Sequence, residues 1–63
     1  MKFTLKMLRV GKNLKQTDVA TALKVNRKTI MAWENGKSLP SVDMVDAICE
    51  FFGVSYDDIQ WKP

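Results

Sequence analysis

The side chains best suited to binding chemistry form one triplet near the middle of the 63-residue chain, Asn26-Arg27-Lys28. An arginine can place two parallel donors on the O6 and N7 acceptors of guanine, and a lysine can reach the same acceptors or a phosphate. Asn26 can contact a base edge or accept from free backbone N–H groups at the start of a helix, and both roles stay open. The triplet therefore offers donors that suit nucleic-acid bases or phosphates.

Two short helical patterns flank the triplet and have to position it. Their apolar residues recur at helical spacing, and they are Val19, Ala20, Leu23, Ile30 and Trp33. Each pattern spans only about two turns, so neither helix is stable without packing on the rest of the chain. With the apolar faces packed inward, the start of the second helix protrudes and carries Arg27 and Lys28 at its tip.

The charges are distributed unevenly along the chain. The net charge is +3, but residues 1–37 carry +7 and residues 38–63 carry −4. A mixed solvated surface is the ordinary explanation for such numbers. Because the basic half contains the protruding helix, a side that faces a polyanion is the better interpretation.

Length and composition exclude several classes of protein. A chain of this size supports one small core, so residues 1–63 are expected to form a single domain. There is no histidine and one cysteine, Cys49, which excludes an internal disulfide and a zinc site of the usual ligand count. The chain also has no glycine-rich phosphate loop and no cysteine–base pair. We therefore expect no enzyme, no metal and no other cofactor.

The chain has no sequence signal for a membrane. Its longest apolar run, Ile30–Trp33, is far below the roughly 18 residues that span a bilayer. No signal-peptide core follows the first four residues. We expect a soluble cytoplasmic protein in which Cys49 is a reduced, buried thiol.

A larger set of residues matches a known family at fixed spacing. The set comprises Arg9, the stretch from Gln16 to Ala20, Leu23, Val25, Ile30, Trp33 and the run Glu34-Asn35-Gly36-Lys37. On these residues the chain resembles the phage Cro/repressor-type (XRE-type) helix-turn-helix DNA-binding proteins, over roughly Leu5 to Ile59. The resemblance implies an all-α, five-helix bundle of the lambda-repressor-like type with a central helix-turn-helix. It also implies that the third helix enters the major groove of double-stranded DNA.

The resemblance assigns roles to further residues. It pairs Arg9 with Glu34 as a structural tie between two helices, which we favour over a phosphate contact by Arg9. It also places Gln16, Asn35 and Lys37 on DNA phosphates. An ordinary exposed turn is the alternative at Asn35 and Lys37.

Three further contacts are inferred from residue chemistry. Lys15 precedes the second helix, where it is either a phosphate contact or merely a poor cap. Thr29 fits a phosphate or a methyl group. Ala32 suits a thymine methyl group, because it and Met31 are expected to face outward.

The chain departs from the family pattern at Lys24, where members usually carry glycine because the backbone adopts positive φ. A lysine there costs on the order of 1 kcal/mol. Val25 is expected to fill the angle between the two helices, and Asn13, Gly36 and Gly53 are expected at helix ends.

The remaining elements follow from caps and apolar stripes. Thr4 caps a first helix with Leu5, Leu8 and Val10 on its inner face, whereas a short strand over Lys2–Leu5 is the less favoured alternative. Ser41 caps a helix from Val42 to Phe52, whose stripe is Val42, Val45, Ile48, Cys49 and Phe52. Ser55 starts a fifth helix, with Asp58 completing its capping box and Ile59 packing inward. Trp61 either forms a self-association surface or folds back on its own core.

Together these expectations describe a phage-like, sequence-specific transcriptional regulator. We expect it to repress by occluding a promoter, as a homodimer on a palindromic double-stranded DNA operator, with no small-molecule ligand. An antitoxin or accessory recombination factor with the same fold is the alternative. A protein-interaction adaptor is a further alternative, although it would not need the Arg27/Lys28 tip.

Overall fold

The computed structural model describes residues 2–61. The elements in chain order are β1 (Phe3–Thr4), α1 (Leu5–Gly11), α2 (Gln16–Leu23), α3 (Arg27–Glu34), α4 (Val42–Phe52), a 3₁₀ turn (Tyr56–Asp58) and β2 (Ile59–Gln60). The described fold is mostly helical. It has four α-helices rather than the five that the resemblance implied.

The expected fifth helix is a single 3₁₀ turn. Ser55 is the N-cap residue of this turn, and the bonds there run to Asp58, whose Oδ2 accepts from the Ser55 backbone N–H at 3.1 Å and from its hydroxyl at 2.9 Å. These bonds, the backbone one first, hold the pKa of Asp58 below its usual range. Ile59 then turns extended (φ −107°, ψ 131°), which ends the helical geometry and buries its side chain.

The two ends of the fold meet in a short parallel strand pair. Phe3 pairs with Ile59 and Thr4 pairs with Gln60. The strand that was the less favoured alternative over Lys2–Leu5 is therefore present at Phe3–Thr4. Thr4 also caps α1, since its Oγ1 accepts from the Met7 N–H at 3.1 Å. The strand pair ties the start of α1 to the chain segment that follows α4.

The core consists of one residue set contributed by every helix and by β2. Its buried side chains are Leu5, Val19, Ala20, Ile30, Trp33, Ile48, Phe52 and Ile59. Two valines expected on apolar stripes are exposed instead, Val10 by 56% and Val42 by 78%. Val10 lies two residues, or about 200° around the helix, from Leu8, and Val42 lies one turn before the covered part of α4. Helical spacing alone did not reveal where the neighbouring elements end.

Cys49 is half-buried and packs against the core rather than lying fully inside it. Burial raises the pKa of its thiol, and the Asp46 and Asp58 carboxylates raise it further. No helix within residues 2–61 is both long and apolar enough to cross a bilayer.

All four α-helices end in the same way, with one residue in the left-handed conformation. These residues are Asn13, Lys24, Gly36 and Gly53, with φ between 59° and 72°. In each case the next N–H bonds to the carbonyl five residues earlier, at 2.9 to 3.1 Å. This bond and the left-handed residue define a Schellman-type end. Lys24 is the one member of this set that is neither glycine nor asparagine.

Lys24→Gly is expected to raise the free energy of unfolding by about 0.5–1 kcal/mol, because glycine removes the left-handed strain. Glycine also gives the unfolded chain more conformational entropy, which offsets only part of this gain. Lys24 has φ 59° and ψ 41°. Urea denaturation measures the change. Asn13→Gly serves as the matched control, and its gain should be smaller because asparagine tolerates this conformation. Equal gains at both positions would show that Lys24 is not strained.

Candidate nucleic-acid interface

The helix-turn-helix consists of α2, the turn at Lys24 and Val25, and α3. Val25 is half-buried and packs against the core. Asn26 caps α3, because its Oδ1 accepts from the Lys28 backbone N–H at 2.8 Å. Ile30 and Trp33 are buried, which fixes the inner face of α3. Consequently the first residues of α3 lie at the surface.

Arg9 and Glu34 form the ion pair that the resemblance implied. Arg9 Nε lies 2.6 Å from Glu34 Oε2, and Arg9 Nη2 donates to Oε1 at 3.1 Å. Arg9 Nη1 also donates to the carbonyl of Leu14 at 2.9 Å. The side chains are only 12% and 3% exposed. This bidentate contact joins α1 to the end of α3 and engages the guanidinium on several sides.

Gln16 links this ion pair to the tip of α3. Its Nε2 donates to Glu34 Oε1 at 3.2 Å, and its Oε1 accepts from Arg27 Nη1 at 3.2 Å. A continuous polar network of Arg9, Glu34, Gln16 and Arg27 therefore crosses α1, α2 and α3. Sequence reasoning missed the contact between Gln16 and Arg27. Eleven residues separate them, and no local spacing rule relates them.

The start of α2 lacks a side-chain cap from Lys15. Instead, the Asp18 side chain in the first turn accepts, through Oδ2, from the Lys15 backbone N–H at 2.8 Å. An acidic residue in the first turn is favourable at the positive end of a helix. The Lys15 side chain is exposed.

The backbone after α3 is already engaged within the chain. The N–H of Asn35 bonds to the Met31 carbonyl and that of Lys37 bonds to the Ala32 carbonyl, both at 2.9 Å. These two N–H groups therefore have acceptors within the chain. The side chains of Asn35 and Lys37 are exposed.

The other candidate residues differ in exposure. Asn26, Arg27 and Lys28 are exposed, and Thr29 is half-buried. Met31 and Ala32 were expected to face outward, but both are half-buried, because α3 packs over more than one narrow stripe. Among residues 2–61, no group of three or more acidic or cysteine side chains is placed to hold a metal ion.

Comparison with known proteins assigns this arrangement to a family. A helix-turn-helix family model matches residues 5–59. The chain belongs to that helix-turn-helix family. The matched residues are those over which the chain resembles Cro/repressor-type proteins, so the expected helix-turn-helix family is confirmed.

Three relatives show what members of the family are called. The chain is 48% identical over 59 residues to the uncharacterized HTH-type transcriptional regulator MJ0272 of Methanocaldococcus jannaschii, covering 94% of this chain and 89% of that protein. It is 42% identical over 55 residues to the HTH-type transcriptional activator BcrR of Enterococcus faecalis, covering 87% and 27%. It is 36% identical over 47 residues to the cryptic phage CTXphi transcriptional repressor RstR of Vibrio cholerae, covering 75% and 42%.

The chain therefore spans most of one relative but less than half of BcrR and RstR. The predicted class, a DNA-binding helix-turn-helix transcription regulator, is confirmed by these comparisons.

Proposed function

We propose that residues 1–63 act as one cytoplasmic DNA-binding domain that represses transcription by inserting α3 into the major groove of a palindromic operator. One observation carries this proposal. Arg27 and Lys28 are exposed at the start of a helix whose opposite face, Ile30 and Trp33, is buried. A helix fixed in this way can enter a groove without losing its packing on the domain.

The contacts in this proposal fall into two groups. Base edges are read by Asn26, Arg27, Lys28 and Ala32, and phosphates are held by Lys15, Gln16, Thr29, Asn35 and Lys37. Phosphate contacts set the position of the domain on the duplex, and base contacts provide its sequence preference. The +7 charge of residues 1–37 favours this orientation, while the −4 of residues 38–63 is repelled by DNA.

Gln16 connects the two groups of contacts. Its Nε2 carries two hydrogens, and Glu34 accepts one of them. The second hydrogen is suited to a phosphate oxygen. Its Oε1 accepts from Arg27 at the same time, so a phosphate on Gln16 would also restrict the direction of the Arg27 side chain. In this proposal, phosphate binding and base reading are coupled through one amide.

Repression by occlusion needs only tight binding over a promoter, which a DNA-binding domain supplies by itself. A relative named as a phage repressor supports this direction, although BcrR is named as an activator. A homodimer would present two α3 helices about 34 Å apart, one turn of DNA, which matches a palindrome. None of these steps uses a cofactor, a small ligand or enzymatic chemistry.

Selection of binding sites from random double-stranded DNA tests the proposal. We expect enrichment of a palindrome with half-sites one helical turn apart. Affinity for a selected site should fall steeply as salt rises, because each phosphate contact releases counterions. Enrichment of no sequence, together with retention on DNA that is insensitive to salt, would favour a protein-interaction adaptor instead.

A further inference from the structure

The side-chain amide of Gln16 lies between one group that can only accept hydrogen bonds and one that can only donate them. Its Nε2 donates to Glu34 Oε1 at 3.2 Å, and its Oε1 accepts from Arg27 Nη1 at 3.2 Å. A carboxylate has no donor, and a guanidinium has no acceptor. If the amide turned over, Nε2 would face a donor, Oε1 would face an acceptor, and both bonds would be lost. Only one orientation of the amide therefore satisfies both neighbours.

The Glu34 carboxylate is held towards Gln16, because Arg9 binds both of its oxygens. Arg9 Nε donates to Oε2 at 2.6 Å, and Arg9 Nη2 donates to Oε1 at 3.1 Å. Arg9 is itself fixed by a bond of 2.9 Å from Nη1 to the Leu14 carbonyl. The Glu34 side chain is 3% exposed, so little water competes for these oxygens. Contacts inside the protein thus determine which atom of the Gln16 amide faces Arg27.

The fixed amide leaves a defined part of Arg27 for DNA. A guanidinium carries five N–H donors in a rigid, planar fork. Gln16 takes one hydrogen of Nη1, so the edge formed by Nε and Nη2 keeps its two parallel donors. Arg27 is exposed, and two parallel donors match the O6 and N7 acceptors of guanine. The bond to Gln16 therefore selects the edge of the guanidinium that is left to read a base.

We propose that Glu34 is a positioning residue that determines base preference. It fixes the orientation of the Gln16 amide, and the amide holds Arg27 so that its Nε–Nη2 edge is presented to a guanine of the half-site. The inference rests on the proposed function, in which Arg27 reads a base. It gives the buried ion pair of Arg9 and Glu34 a second role besides joining α1 to α3. Glu34 acts only through Gln16 and touches no DNA in this role.

Such a role changes base preference rather than affinity for DNA in general. A bidentate contact with guanine requires Arg27 to adopt one conformation, whereas a base that cannot accept both bonds imposes no such ordering. Release of Arg27 therefore weakens the guanine complex more than the mismatched one. Loss of a merely structural ion pair has a different signature. It lowers the folded fraction and so weakens binding to every duplex by the same factor.

Competition binding by the full chain tests the inference with two duplexes. One is a selected site, and the other carries adenine in place of the guanine at the position whose preference Arg27→Ala removes. Glu34→Gln replaces an acceptor with a donor, so the Gln16 amide can turn over. We expect the preference for guanine to fall about three- to ten-fold. Glu50→Gln is the matched control, because Glu50 is an exposed helical glutamate, and it should leave the preference unchanged.

A second variant separates base preference from stability. Glu34→Gln also weakens the contact with Arg9, whereas the double variant Arg9→Met, Glu34→Leu removes the ion pair without leaving a buried charge. Replacing a buried ion pair by apolar residues of similar volume is often neutral for stability. We therefore expect the double variant to fold, as measured by circular dichroism. It should show the same loss of preference, since Gln16 Nε2 no longer has a carboxylate to donate to.

A double-mutant cycle shows whether Glu34 acts through Gln16. Gln16→Ala should lower the preference for guanine to the same level, and adding Glu34→Gln to it should lower the preference no further. The chain without DNA offers an independent measurement. NMR relaxation of the Arg27 Nε–H should show a more mobile side chain in Gln16→Ala and in Glu34→Gln than in the parent chain.

Unchanged preference in both Glu34→Gln and the double variant would overturn the inference, and so would additive losses in the cycle. Equal weakening of the two duplexes by these variants would leave the ion pair with a structural role alone. Arg27→Ala separates this result from the proposed function. If it removes the preference and Glu34→Gln does not, only the present inference fails. If Arg27→Ala removes no preference, Arg27 reads no base and that part of the proposed function is wrong.

Discussion

Glu34→Ala is expected to lower the free energy of unfolding by about 3–5 kcal/mol, because it leaves the Arg9 guanidinium without its carboxylate in a largely buried site. Glu34 is 3% exposed and accepts two bonds from Arg9 and one from Gln16. A small domain is stable by only about 5–15 kcal/mol. The variant should therefore melt at least roughly 15 °C lower, or be largely unfolded at room temperature.

Thermal and urea denaturation followed by circular dichroism measure this effect. Glu50→Ala is the matched control, because Glu50 is a helical glutamate on the exposed face of α4. It should change the free energy of unfolding by less than about 0.5 kcal/mol. Similar losses for the two variants would contradict the assignment of Glu34 as a buried tie between helices.

Arg27→Ala is expected to weaken binding to the selected operator by about 1–3 kcal/mol and to relax the preference at one base position in each half-site. Arg27 is exposed, so its removal should leave the fold intact. In the free chain its Nη1 is held by Gln16 Oε1 at 3.2 Å. This bond favours one direction of the side chain before DNA arrives, which lowers the ordering entropy lost on binding.

Competition binding to the operator, to single-base variants of it and to random DNA measures this loss. Lys37→Ala is the control. Removing a lysine that contacts a phosphate should weaken binding to all duplexes about equally and reduce the salt slope by about 1. Equal weakening of operator and random DNA by Arg27→Ala would show that Arg27 binds phosphate and reads no base.

The sequence predicted the four α-helices and most of their ends, whereas the expected fifth helix is a 3₁₀ turn. Residues within one turn of each other determine these features, so Asn26 and Ser41 cap their helices and Ser55 bonds to Asp58 at the start of the 3₁₀ turn. The resemblance to the family, whose members usually carry glycine at this position, indicated positive φ at Lys24, and the structure has it. The apolar positions Ile30, Trp33 and Ile48 were equally clear from helical spacing.

Contacts between distant segments needed the tertiary structure. The pairing of Phe3 with Ile59 joins residues near opposite ends of the chain, and it replaces the expected fifth helix with a turn and a strand. Val42 is exposed because no other element of the described chain covers the first turn of α4. An apolar stripe shows which face a helix offers for packing, but it does not show how far another element covers that face.

The polar network shows the same division at the candidate site. Residue chemistry and family resemblance indicated Arg9, Glu34, Gln16 and Arg27 one by one, each with several acceptable partners. Only helix packing determined that Gln16 lies between Glu34 and Arg27, because a hydrogen bond depends on distances within a few tenths of an ångström. Sequence spacing determines which side chains share a face of one helix. The relative placement of α1, α2 and α3 decides which of them meet.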